Sequence, residues 1–191
     1  MGKILMVVGV QGSGKTTILH EVSKIDSKRT IVNIGSEILK VAQAKGQIEN
    51  RDEIKYMSSS EILLTRKAAL ANISNMDTHV ILDTHAYVKG NSRYIPGFSL
   101  NEVEGLRELK AIIFIDAFAK DIIERRTKDT SRKRESESED EINEQRIINL
   151  SIITSFALHL NIPIYIIKNK KDKIDESVNE FVKISKEVFG D

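Results

Sequence analysis

The sequence predicts an α/β domain of three layers: a five-stranded parallel sheet with helices on both faces. Three observations lead there. Gly9-Val10-Gln11-Gly12-Ser13-Gly14-Lys15-Thr16 fits the phosphate-binding pattern G-x-x-x-x-G-K-[ST] at every fixed position, between an apolar run and a helical pattern. Short apolar, β-rich runs recur at 4–8, 30–34, 79–83, 111–115 and 163–168. Helical patterns separate them, and strands alternating with helices imply parallel pairing through right-handed crossovers.

The elements follow in order. The run 4–8 is a buried strand leading into the glycine loop, and a helix over 15–25 leaves it. This is the arrangement of the P-loop NTPase fold. Several of the five runs lack polar alternation, as expected of strands covered on both faces. Further helices are predicted at 36–45, 59–75, 119–128, 140–160 and 172–189. Asp172 is a reasonable N-cap for the last, which carries an apolar stripe of Val178, Phe181, Val182 and Val188. Two stretches interrupt the alternation. Residues 36–75 hold helices but no strand, a helical insert. Residues 128–140 contain no apolar side chain, so they cannot bury themselves and are expected to form a short mobile lid. Its basic side gathers Arg125, Arg126, Lys128, Arg132, Lys133 and Arg134 just beyond a strand ending near Asp116, where it would overhang a cleft. With no repeat and no low-complexity linker, residues 1–191 are read as one domain.

Bulk properties narrow the class. Hydrophobic residues make up 40% and charged ones 30%, which suits a globular protein. A formal net charge of +1 gives no case for nucleic acid or an anionic membrane as partner. There is no cysteine, which excludes a disulfide framework and a thiolate metal site and agrees with a cytoplasmic location. The N-terminus lacks the basic region and cleavage site of a signal peptide. No apolar run approaches the ~18 residues of a membrane helix. His20, His79, His85 and His159 have no metal-binding spacing, so no metal site built wholly of protein ligands is expected.

The loop itself carries chemistry. Its glycines let backbone N–H groups turn inward around phosphate oxygens, and the helix N-terminus adds partial positive charge. Lys15 would reach the β and γ phosphates, and the Thr16 hydroxyl would bind Mg2+. A plain glycine turn with a surface lysine is the alternative, and the strand–loop–helix setting weighs against it.

At this point nearly the whole chain resembles the nucleoside monophosphate kinases, and most closely the archaeal-type adenylate kinases. Gly9 to Thr17 matches their phosphate loop. Asn33-Ile34-Gly35-Ser36 is similar to their turn after the second strand, and Asn50-Arg51-Asp52 to the Arg-Asp pair that follows. Asp83-Thr84-His85 resembles their Asp-Thr-His after the third strand, and Tyr94-Ile95-Pro96-Gly97 their Tyr-hydrophobic-Pro-Gly stretch. Arg125-Arg126, then Arg132 and Arg134, resemble their lid arginines, and Ile166-Ile167-Lys168-Asn169 the end of their last strand, where a loop wraps adenine. The P-loop alone is common to many NTPases; Asp-Thr-His, Pro-Gly and the paired arginines together are far more specific. Gln11 stands where the family usually carries proline, and Leu150 where an arginine is expected; Arg146, one helical turn earlier, points along the same face.

The resemblance implies ATP and AMP as substrates, Mg2+ as cofactor, and a homo-oligomer, a trimer as among related archaeal enzymes. ATP would lie on Gly9, Val10, Gln11, Gly12, Ser13, Gly14, Lys15, Thr16, Thr17 and Asn169. AMP would lie on Gly35, Ser36, Arg51, Thr84, His85, Pro96 and Gly97, with Arg51 gripping its phosphate because a guanidinium fork matches that geometry. Thr16 and, through water, Asp83 would hold Mg2+; a strand-end cap is the other reading of Asp83. Lys15, Arg125, Arg132, Arg134 and Arg146 would supply charge around the moving phosphoryl group. No general base is needed, because the acceptor phosphate is already ionised, so His85 is read as shaping the acceptor site and not as catalytic.

Three rival readings remain. Asn169-Lys170-Lys171-Asp172 fits N-K-x-D, the guanine-reading element of GTP-binding switches. No Asp-x-x-Gly exists in the chain to serve as a γ-phosphate switch, and too little chain follows Asp172 for a further strand and helix. A small-metabolite kinase would share the P-loop, the lid and this length, with residues 36–75 holding a sugar or an acid. An ATP-binding partner of nucleic acid is opposed by the near-neutral charge and the acidic run 135–141.

Overall fold

Residue burial explains why the central strands carry no polar alternation. β1 (Ile4–Val8) is buried along its whole length, as is β3 (Val80–Asp83), because each has a strand on either side and helices above and below. The computed structural model describes residues 2–50, 53, 56–90, 93–129 and 137–190. With β2 (Thr30–Asn33), β6 (Leu109–Asp116) and β7 (Ile164–Lys168), these strands form one sheet in the order β2-β3-β1-β6-β7, every pair parallel.

Successive side chains of β1 point to opposite faces and so enter different cores. Leu5 and Val7 join Ile81, Ile113 and Ile115 beneath α1 (Lys15–Ile25) and α7 (Ile174–Phe189), which contribute Ile18, Val22, Phe181 and Ile184. Ile4, Met6 and Val8 join Leu82, Ile112 and Phe114 beneath α3 (Ser59–Ser74), α4 (Leu100–Glu104) and α6 (Glu139–Leu160). Each such aliphatic side chain contributes about 1.5–3 kcal/mol on burial. Two further helices, α2 (Ile34–Ala44) and α5 (Ala119–Lys128), stand at the carboxyl end of the sheet. Among the described residues no helix is long and apolar enough to cross a membrane.

The topology places the site. From β1 the chain runs to β2 and returns through β3 on one side, then moves to β6 and β7 on the other. The loop after β1 therefore opens where the winding changes direction, at the carboxyl ends of the strands, the crevice in which open α/β sheets hold ligands. Register sets Val7 and Asn33 level with Asp83, and Asp116 level with Lys168.

The structure differs from the sequence reading in several places. The second strand stops at Asn33, because that side chain caps α2 directly. Asp172 does not cap α7: it sits at φ 56° in a left-handed turn, and Lys173 holds the N-cap position. Pro96 belongs to a hairpin that the sequence reading does not contain. It ends β5 (Arg93–Pro96), which pairs antiparallel with β4 (Tyr87–Gly90), Tyr87 opposite Pro96. The helix expected over 140–160 is present as α6, beginning at Glu139 because Ser138 and Glu141 form a reciprocal capping box. Residues 130–136, most of the expected lid, lie outside the described residues, as do Arg51, Arg132 and Arg134.

Candidate active site

Gly9 to Gly14 wrap the start of α1. The helix has Gly14 as N-cap, no side-chain cap and no acid in its first turn, so its end stays electropositive and its first amides keep their capacity for an anion. Gly12 and Gly14 hold φ at 86° and 91°, the left-handed region. At Gly14 a Cβ would also run into the Asn169 amide nitrogen. Asn169 Nδ2 donates to the Ser13 carbonyl at 2.8 Å, and Arg125 Nη1 donates to the same oxygen at 3.1 Å. Arg126 Nε donates to the Gln11 carbonyl at 2.9 Å, restraining the residue that replaces the usual proline. The Ser13 hydroxyl is buried without a partner among the described residues, an orphan that a bound phosphate oxygen would satisfy. Val10 packs with Ile122 and Ile142, fixing the loop to α5 and α6. Thr16 and Thr17 are exposed on the first turn of α1.

Lys15 is buried and its ammonium meets Asp83 Oδ1. Burial pushes the ammonium down to about 8, and the carboxylate against it favours the charged form, so Lys15 is protonated at neutral pH. The other carboxylate oxygen, Oδ2, accepts from Asn33 Nδ2 at 2.8 Å. Thr16 and Asp83 suit Mg2+. Among the described residues no three acidic or histidine side chains gather into a cage, so a metal here would take few protein oxygens and the rest from phosphate and water, the habit of Mg2+.

Arg125 belongs to the loop wall: besides Ser13 it reaches the Asn169 carbonyl through Nη2 at 3.2 Å. Arg146 projects from α6 onto Asp116, Nε to Oδ1 at 2.7 Å and Nη2 to Oδ2 at 2.8 Å, a bidentate pair that raises its already high pKa. Phe118, half-exposed, borders a cleft with Asp116, Arg146, Lys168 and Asn169 beside the strand ends. The Asn169 side chain is engaged by the loop, so it organises the cradle. Leu150 is partly buried against the core.

Of the residues expected to hold the acceptor, Gly35 and Ser36 form the first turn of α2. Thr84 is buried, with its N–H on the Val7 carbonyl at 3.1 Å. His85 Nδ1 lies 3.3 Å from the Gly9 carbonyl. Gly97 N–H donates to Ala86 at 2.7 Å, and Arg66 Nη1 donates to the Gly97 carbonyl at 2.6 Å while its Nε pairs with Glu102 at 2.9 Å. The segment after β3 and the end of the hairpin thus lie together beside the P-loop.

Sequence reasoning placed Asn33 in the turn after the second strand and Asp116 at a strand end without a contact for either, and gave no role to Arg66, Glu137 or Gln145. Glu137 pairs with Arg126 and with Lys89 (2.9 Å), and Gln145 Nε2 donates to it at 2.8 Å. Only the parallel register brings Asn33 level with Asp83; the one local signal was a polar residue closing an apolar run, which both share.

Comparison with known proteins agrees with this geometry. A family profile described as an AAA domain matches residues 8–143. The chain is 33% identical to the adenylate kinase of Thermococcus sibiricus over 186 residues, 95% of this chain and 94% of that one. It is 30% identical to the adenylate kinase of Methanocaldococcus jannaschii over 190 residues, 96% and 98% of the two chains. The chain belongs to the adenylate kinase family. Its fold is shared more widely: the crystal structure of shikimate kinase from Bacteroides thetaiotaomicron superposes with a TM-score of 0.61 at 15% identity, covering 96% of this chain and 98% of that one. Within the adenylate kinase family, then, this chain keeps the P-loop and Asp83 in direct contact and holds Arg125 against the loop.

Proposed function

We propose that the chain transfers the γ-phosphoryl group of ATP to AMP, reversibly and with Mg2+, giving two ADP. The observation that carries this reading is the position of Asp83, with the P-loop lysine on one carboxylate oxygen and the cap of the acceptor helix on the other. The donor phosphates would lie on the amides of Gly9 to Thr17, with Lys15 drawn from Asp83 to the β and γ phosphates. Thr16, and Asp83 through water, would hold Mg2+, which would supply charge neutralisation to the donor phosphates. Arg51 grips the acceptor phosphate; Gly35, Ser36, Thr84, His85, Pro96 and Gly97 shape its pocket. Arg125, Arg132, Arg134 and Arg146 supply charge to the transferring group, and Arg146 leaves Asp116 to do so. The lid, residues 128–140, excludes water so that phosphate reaches AMP instead of being hydrolysed. The reading includes a cytoplasmic enzyme assembled as a homo-oligomer, a trimer by resemblance, with no nucleic-acid or membrane partner.

The test is a panel of ATP with AMP, CMP, UMP, GMP, shikimate or gluconate, followed by product analysis. ADP forms from ATP and AMP. Phosphorylation of shikimate or gluconate with AMP untouched would overturn the reading. Arg51→Ala loses turnover by about two orders of magnitude without unfolding.

A further inference from the structure

Asn33 stands where the two halves of the site meet. It ends β2 level with Asp83, and both ends of its side-chain amide are engaged. Oδ1 accepts the Ser36 N–H at 3.1 Å, capping α2, the helix whose first turn carries Gly35 and Ser36. Nδ2 donates to Asp83 Oδ2 at 2.8 Å, while Lys15 occupies Asp83 Oδ1. A cap alone does not call for asparagine, since serine, threonine and aspartate cap as well or nearly so. An amide accepts from the backbone N–H with one atom and donates to the carboxylate with another, a reach that a single hydroxyl oxygen lacks, and an aspartate here would set two negative charges together.

We propose that Asn33 is a positioning residue for the carboxylate of Asp83, and that it ties the orientation of that carboxylate to the seat of the acceptor helix. When Lys15 leaves Asp83 for a phosphate, the carboxylate loses its cation. A free aspartate turns readily about its terminal torsion. The bond from Asn33 is charge-assisted, about twice as strong as a neutral one, and it holds the carboxylate in the orientation it has now. Because the same amide caps α2, a shift of that helix is felt at Asp83. The inference rests on the kinase reading above and adds a residue through which acceptor and metal sides communicate.

Asn33→Ser and Asn33→Thr each retain a capping oxygen and lose the amide nitrogen that reaches Asp83. Three quantities are compared with wild type: the unfolding temperature, the calorimetric affinity for a non-hydrolysable ATP analogue with Mg2+ and with EDTA, and the AMP dependence of turnover. The unfolding temperature stays within about 4 °C. Affinity in EDTA is unchanged, the gain in affinity on adding Mg2+ shrinks about tenfold, and kcat falls with it while KM for AMP holds. An undiminished Mg2+ gain overturns the proposal. So does an equal loss with and without Mg2+, or failure of both variants to fold, either of which marks a merely structural residue. Failure of the kinase reading looks different: wild type then forms no ADP from ATP and AMP, yet the Mg2+ gain still ranks the variants.

Discussion

Replacing Gly14 by alanine tests whether the P-loop and the end of β7 were shaped for each other. Gly14 holds φ at 91°, and a left-handed backbone costs alanine about 1–2 kcal/mol. The new Cβ would also displace the Asn169 amide nitrogen from the Ser13 carbonyl, its acceptor at 2.8 Å. Losing that buried bond costs about 1–3 kcal/mol, and Arg125, which stays on the same carbonyl at 3.1 Å, keeps the loss toward the lower end. Gly14→Ala should therefore destabilise by about 2–5 kcal/mol and Asn169→Ala by about 1–3 kcal/mol. The double variant loses the bond only once, so its cost falls short of the sum by about 1–3 kcal/mol. Urea unfolding of the four proteins, with equal denaturant slopes, measures this. Additivity to within about 0.5 kcal/mol would refute the argument that Gly14 makes room for Asn169.

Other consequences follow from the same geometry. Lys15→Ala lowers kcat by at least about 10²-fold while the chain stays folded, as circular dichroism and steady-state turnover will show. Because the Lys15 ammonium titrates near 8 and only its charged form attracts phosphate, affinity for an ATP analogue is level below that pH and falls about tenfold per unit above it. Over the same interval, from about 8 up to the ordinary 10.5, the unfolded chain binds the extra proton, so stability of the nucleotide-free protein rises with pH. Parallel binding and unfolding titrations check both signs; affinity that stays level through pH 10 contradicts the assignment. Phe118→Ala, at the half-exposed border of the cleft beside Asn169, tests whether that cleft takes the donor base: if the ring stacks on the base, KM for ATP rises about tenfold and KM for AMP is unchanged.

The elements of the sheet were readable because their causes are local. A strand covered on both faces must be apolar throughout, and 4–8, 79–83 and 111–115 are nearly so. The short hairpin was not readable, since Tyr87–Gly90 and Arg93–Pro96 are four residues each and owe their pairing to one another. Asp172 does not cap the last helix for a related reason: five residues between β7 and α7 leave several turns equally available, and packing selected one with Asp172 at positive φ. The start of α6 was legible to within one residue, and the capping box of Ser138 and Glu141 fixes it locally.

By itself the sequence determined the chemistry of the cradle: glycines where the backbone must turn, a lysine and a threonine at the head of a helix, an aspartate closing a buried strand. Those choices depend on neighbours a few residues away, so they are written in spacing. Only the tertiary structure decided which side chains complete it. Asn33 reaches Asp83 across 50 positions, Arg125 reaches Ser13 across 112, and Asn169 reaches the same carbonyl across 156. Contacts of that separation are set by strand order and register, which emerge only when the whole sheet closes on its two cores.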